Sequence, residues 1–213
     1  FSIIDVSWLD APNLRQYAFK DHEGSYIVGV AAAKASKTGK VGFVGGMDIG
    51  LIRRFACGYV GGVKSINASA EVYQNMTGTT PAAWNDPAKG AELTQSQIDR
   101  GADVVYHAAG GTGAGVIQAA ADAGKLAIGV DSNQNGMAPG SVLTSMLKRV
   151  DVAAYETFMD VKNGNFSAGV HVLGLAEGGV DWALDENNAS LVTADMKAAI
   201  ESARADIVSG KVK

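Results

Sequence analysis

One cysteine in 213 residues excludes an internal disulfide. That residue, Cys57, falls in the helix-like stretch RRFACGYVGG and is expected to be a small buried side chain. Excess positive charge is missing as well. Lysine and arginine number 18 against 22 acids, a net charge of −4, so no basic stripe exists to neutralise nucleic-acid phosphates. No apolar run approaches the roughly 20 residues a membrane-spanning helix needs. Histidine is scarce and scattered, as His22, His107 and His171. Neither HExxH nor CxxC spacing marks a metal site, and no GxSxG elbow marks a hydrolase nucleophile. Repeats, heptads and low-complexity tracts are absent. What remains is 47% apolar and 19% charged residues, the composition of a globular core.

The apolar residues fall into an alternating pattern. Strand-like runs are FSIIDV (1–6), KVGFVG (40–45), AEVYQNM (70–76), ADVVYHA (102–108), LAIGVD (126–131), SVLTSML (141–147) and GVHVLGL (169–175). Helix-like stretches lie between most of them, at 24–36, 51–66, 86–101, 115–125, 150–164 and 193–211. Asp86 is placed to cap its helix with Pro87 at the first helical position, and Gly101 to stop it. Thr193 and Gly210 are placed to bracket the last helix in the same way. Strands separated by helices of this length imply βαβ crossovers and a parallel sheet covered on both faces. The fold class is therefore α/β, a three-layer open parallel sheet.

Such sheets bind ligands beyond the carboxyl ends of their strands, near the point where strand order reverses. The segments that follow the strands carry Met47, Trp84, the Gly110–Gly111 pair, Asp131 and Lys148. An aromatic face, a carboxylate, an amine and bare backbone donors suit a neutral ring-bearing polyol, a nucleoside or a sugar. Each residue also has a plainer role open to it. Trp84 either staples a helix or stacks on a ring, and Asp131 either caps a turn or accepts hydrogen bonds from paired hydroxyls. Lys148 pairs with Arg149 in solvent or faces the ligand. Met47 is a candidate apolar contact, Asp48 a candidate helix cap, and Phe55 is assigned to the core. His107, at a strand end, fits a core or turn role better than that of a base. The stretch YHAAGGTGAG (106–115) has neither Walker A nor GxGxxG spacing. Its glycines instead allow a close backbone approach at a helix start.

SKTGKVGFVGGMDIGLIRRFACGY, WNDPAKG, DRGADVVYHAAGGTGAGVIQAA, IGVDSNQ and VLTSMLKRVDVAAY closely resemble the basic membrane protein family. These are solute-binding receptors of ABC transporters and include purine nucleoside receptors. The resemblance spans essentially the whole chain and implies a type I periplasmic-binding-protein fold, two α/β lobes closing on a ligand. Position by position, Trp84 stands where the family usually has phenylalanine. Gly110 and Gly111 match its glycine pair, Asp131 its ribose-binding acid, and Lys148 the lysine of its SMVKRVD motif. Two departures are Gly50 for proline and Asn133 for aspartate.

The resemblance also implies a front segment of about 100 residues, the size of a small domain. Phe1 would then enter mid-fold. The expected division is 1–8 as the last strand of an N-terminal lobe and 9–147 as the C-terminal ligand-binding lobe. Residues 148–168 would return to the first lobe, and 169–213 would complete the second. The expected ligand is a purine nucleoside, with weak or absent affinity in the 213-residue chain alone. Expected partners are an ABC permease and its ATPase, with no cofactor, metal or nucleic acid. The expected location is the periplasmic or outer face of the cell membrane, with any membrane attachment through an upstream lipid anchor. The rival readings are a sensor or regulator built on the same fold, and a nucleoside-processing enzyme.

Overall fold

The computed structural model describes residues 1–212. Nine strands are β1 (Ser2–Ile4), β2 (Arg15–Phe19), β3 (Lys40–Met47), β4 (Glu71–Gly78), β5 (Val104–Ala108), β6 (Leu126–Asp131), β7 (Val142–Lys148), β8 (Gly169–Leu173) and β9 (Val180–Trp182). Six helices are α1 (Asp21–Ala35), α2 (Gly50–Ile66), α3 (Pro87–Asp99), α4 (Gly113–Asp122), α5 (Val150–Asn163) and α6 (Ala194–Val208).

The strands form two sheets. The larger has the order β4-β3-β5-β6-β7-β9, parallel throughout except for β9. The smaller is parallel, in the order β1-β2-β8. Strand order reverses between β3 and β5, because β4 lies on one side of β3 and β5 on the other. Val41, Phe43, Val104, Val105, Tyr106, Ile128 and Leu143 are fully buried, as continuous apolar strands between two helical layers should be. Phe43, Tyr59 and Tyr106 pack with ring centroids 5.1–6.3 Å apart, and Tyr106 Oη hydrogen-bonds with Ser25 Oγ at 3.2 Å. Helices α1 and α2 touch backbone to backbone. Gly58 and Gly62 lie against the His22 and Tyr26 carbonyls, where a Cβ would collide.

The caps follow the sequence. Asp86 Oδ1 accepts from the Lys89 amide at 2.9 Å, and Thr193 Oγ1 from Met196 at 3.1 Å. Gly101 and Gly210 follow their helices with φ of +101° and +77°.

Several expectations are corrected. RQYAF is a strand that the pattern did not reveal, and so is Val180–Trp182. FSIIDV is not a buried six-residue strand; β1 has three residues and is at most half-buried. Helix α1 begins at Asp21, three residues before the expected start. Cys57 is exposed, because it lies on the outer side of α2. Asp48 pairs with Arg53 at 2.7 Å and does not cap α2, whose N-cap is Ile49, without a side-chain cap. Arg15–Phe19 is the central strand of the smaller sheet, pairing with β1 on one side and with Gly169–Leu173 on the other.

The chain passes between the sheets after β2, β7 and β8. These passages are tied together: the Lys20 amide donates to the Leu173 carbonyl at 2.9 Å, and Arg149 to Gly179 at 2.8 Å.

Candidate functional site

A hollow of about 140 Å³ lies at the carboxyl ends of the larger sheet, lined by Asp5, Phe55, Trp84, Gly110, Asp131 and Lys148 among others. It sits where topology predicts, beside the strand-order reversal. Asp5 and Leu51 also border an adjoining hollow of about 350 Å³, lined further by Trp8, Phe19, Ile49 and Arg54. A roomier groove of about 440 Å³ lies along the outer side of α1 and α2 and has none of the residues that line the 140 Å³ hollow.

Trp84 ends a 3-10 turn, Pro81–Trp84, that follows β4. The Ala83 carbonyl in this turn accepts from Thr77 Oγ1 at 2.9 Å and from Thr112 Oγ1 at 2.8 Å, which fixes the indole. The ring lies over β3 because Gly46 has no side chain; a Cβ there would enter the indole. Gly110, at φ +57°, turns the chain beside the Trp84 carbonyl.

Asp131 ends β6 with φ +64°, a left-handed conformation that non-glycine residues seldom adopt. The following loop holds it there. Gln134 Oε1 accepts from the Val130 amide at 2.8 Å and from His107 Nε2 at 3.0 Å. Gln134 N donates to Ser145 Oγ at 2.9 Å. His107 is thus a fully buried structural group. Burial pushes its pKa down to about 4, so it stays neutral and carries its proton on Nε2. The Asp131 carboxyl meets solvent in the hollow but is enclosed by protein on its other sides, and this desolvation raises its pKa.

Lys148 ends β7, and its side chain is 5% exposed. Its Nζ lies 2.8 Å from Asp5 Oδ2 and 3.3 Å from Asp21 Oδ1, between the Phe19 and Phe55 rings at 5.5 and 5.4 Å. Burial works against the ammonium charge, yet Asp21, Asp131 and Asp5 together raise the pKa. Asp21 is fully buried and also meets Arg54 at 3.4 Å. Burial pushes its carboxyl up to about 6 against the pull of Lys148.

Four expected residues, Trp84, Gly110, Asp131 and Lys148, therefore line one hollow. Gly111 is exposed on the next turn and Met47 is half-buried at the end of β3; neither lines it. Phe55, assigned to the core, is 2% exposed and yet forms part of the wall. Asp5 was missed. It shares the signal that singled out Asp131, an acid ending an apolar strand, and it shares the conformation at φ +58°. Its Oδ1 is buried without a hydrogen-bond partner among the described residues. Asp5 and Asp131 are the only non-glycine residues with positive φ among those described. No group of three His, Cys, Asp or Glu side chains could hold a metal among the described residues.

Known proteins align with this architecture along its full length. An ABC transporter nucleoside-binding protein, BmpA, of Lactococcus lactis subsp. cremoris is 36% identical over a 230-residue alignment covering all of this chain and 63% of that protein. A CD4+ T-cell-stimulating antigen of Listeria innocua is 35% identical, covering 100% of this chain and 62% of its own length. The chain thus spans less than two thirds of these relatives. The crystal structure of an Aeropyrum pernix ABC transporter solute-binding protein superposes with a TM-score of 0.88 at 28% identity, covering 100% of this chain and 69% of that one. The family described as ABC transporter substrate-binding protein PnrA-like matches residues 1–212, and the chain belongs to that family.

Proposed function

We propose that the chain forms the larger wall of a purine-nucleoside receptor serving an ABC transporter. The observation that carries this reading is the convergence of Trp84, Asp131, Lys148 and Gly110 on one hollow at the strand ends. An indole face suits a purine ring, and a carboxylate suits the vicinal hydroxyls of ribose. Lys148 and the Gly110 backbone, both in the wall of the hollow, meet the remaining polar atoms. Asp5 Oδ1, buried without a hydrogen-bond partner among the described residues, offers a further acceptor to the ligand. The hollow of about 140 Å³ is small beside the ~300–1,000 Å³ common for ligand pockets, and the adjoining hollow supplies the missing room. The Lactococcus relative is a nucleoside-binding protein, which supports the same ligand class.

In this reading the larger sheet is one lobe of a clamp, and the smaller sheet with α5 belongs to the other. Ligand is held and handed to a permease and its ATPase without being chemically changed. The receptor works at the outer face of the cell membrane, held there by a lipid anchor. No helix among the described residues is long and apolar enough to cross a membrane.

Calorimetric titration of guanosine and inosine into the full-length gene product tests the proposal. Saturable binding is expected, weakened at least about tenfold, or about 1.4 kcal/mol, by Trp84→Ala and by Asp131→Ala. Binding of free ribose or arabinose in preference to nucleosides, or no loss in either variant, would overturn it.

A further inference from the structure

Asp21 is a buried acid that the proposed ligand contacts leave unused. It opens α1 just after the chain has left the smaller sheet, and it is fully buried. It does not line the hollow. Its two oxygens face two cations: Oδ1 lies 3.3 Å from Lys148 Nζ, and Oδ2 lies 3.4 Å from an Arg54 guanidinium nitrogen. Lys148 in turn reaches forward to Asp5 at 2.8 Å.

We propose that Asp21 is a positioning residue, which from behind the wall of the hollow fixes the Lys148 ammonium in place, charged and turned toward the bound ligand. This rests on reading the hollow as the ligand site.

The argument is one of charge and confinement. Lys148 Nζ sits between two phenyl rings with little solvent to stabilise it. A buried amine without anions loses its proton readily. Asp5 is only one of its two close anions. It comes from the smaller sheet, and its side chain is 28% exposed. Asp21 is enclosed on the larger sheet's side, so its hold on Lys148 stays when the solvent-facing contact changes. The groups around Asp21 are Lys148 from β7, Arg54 from α2, Asp5 from the segment after β1 and the Tyr106 hydroxyl from β5; Asp131 acts through Lys148. A glutamate or an asparagine at position 21 separates charge from packing. Glutamate keeps the anion, and asparagine keeps the shape without it.

The test reads Lys148 directly. Lysine labelled with ¹³C at Cε is titrated by NMR, with Lys148→Arg identifying the resonance. Asp21→Asn is expected to lower the Lys148 pKa by about one unit or more, a tenfold loss of proton affinity. Asp21→Glu is expected to restore it. Guanosine affinity should fall in parallel in Asp21→Asn and recover in Asp21→Glu. In the unaltered protein, the Asp21 carboxyl and Lys148 Cε resonances should shift together near pH 6, a readout that needs no variant to fold. An unchanged Lys148 pKa in a folded Asp21→Asn protein, or no joint shift, would overturn the proposal. If the Lys148 pKa falls while guanosine binds no form of the protein, the nucleoside reading fails and the hold of Asp21 on Lys148 stands.

Discussion

The two sheets bury their strands by different means. The larger one is sealed by helices on both faces and filled with aliphatic and aromatic side chains. The smaller one holds its central strand through a charge. Arg15, 1% exposed, donates to the Ser167 carbonyl at 2.9 Å, to Asp160 Oδ2 at 2.7 Å and to Tyr17 Oη at 3.2 Å, and it packs over the Phe166 ring. Around it the apolar surface stays open. Phe1, Trp8, Val170 and Val172 are exposed, and so are Tyr155, Phe158 and Val161 on α5. One region is stabilised by volume and the other by a few directional bonds. They should therefore respond differently to the same kinds of change.

Truncation in the larger sheet is expected to have the greatest effect. Leu143→Ala removes a fully buried side chain from β7 and should destabilise the chain by about 2–5 kcal/mol, measured by urea unfolding. Arg15→Ala should cost roughly 2–4 kcal/mol, because it strips partners from Tyr17, Asp160 and Ser167. Its signature is regional. Amide exchange should quicken in β2 and β8 and hold in β3 and β5. Uniform acceleration would mean that the two sheets unfold as one unit. The smallest effect is expected on α5. Phe158 is 74% exposed, so Phe158→Ser should shift stability by no more than about 0.5 kcal/mol while reducing self-association in light scattering. A loss as large as that of Leu143→Ala would erase the contrast.

The same contrast explains which parts were legible in the sequence. The apolar pattern marked every strand from β3 to β8; β3, β5, β6 and β7 are buried by apolar contacts, while β4 and β8 are only part-buried and were marked by their β-branched and aromatic residues. It missed β2, where Arg15 and Gln16 are buried through polar bonds that no hydropathy pattern records. It missed β9, whose three residues are too few to show a period. It marked FSIIDV (1–6) as a strand, of which only Ser2–Ile4 is one, at most half-buried in this chain. In the site, Asp131 and Lys148 were visible as polar residues ending apolar strands. Asp5 carries the same mark but lies in the smaller sheet, outside the strand set from which the rim was assembled. Asp21 gave no signal, because an acid in the first turn of a helix is ordinary and its burial depends on Lys148, 127 positions away. Cys57 shows the limit of composition, since a residue type that is commonly buried sits here on an exposed helix face.

The bonds between Lys20 and Leu173 and between Arg149 and Gly179 clamp the three passages side by side. Any swing of one sheet relative to the other must turn about that narrow seam. Lys148 adjoins the seam, so its charge stays near the pivot and travels little. Trp84, on the loop beyond β4 with its ring over β3, lies several strands from the seam, so such a swing would displace it more than Lys148.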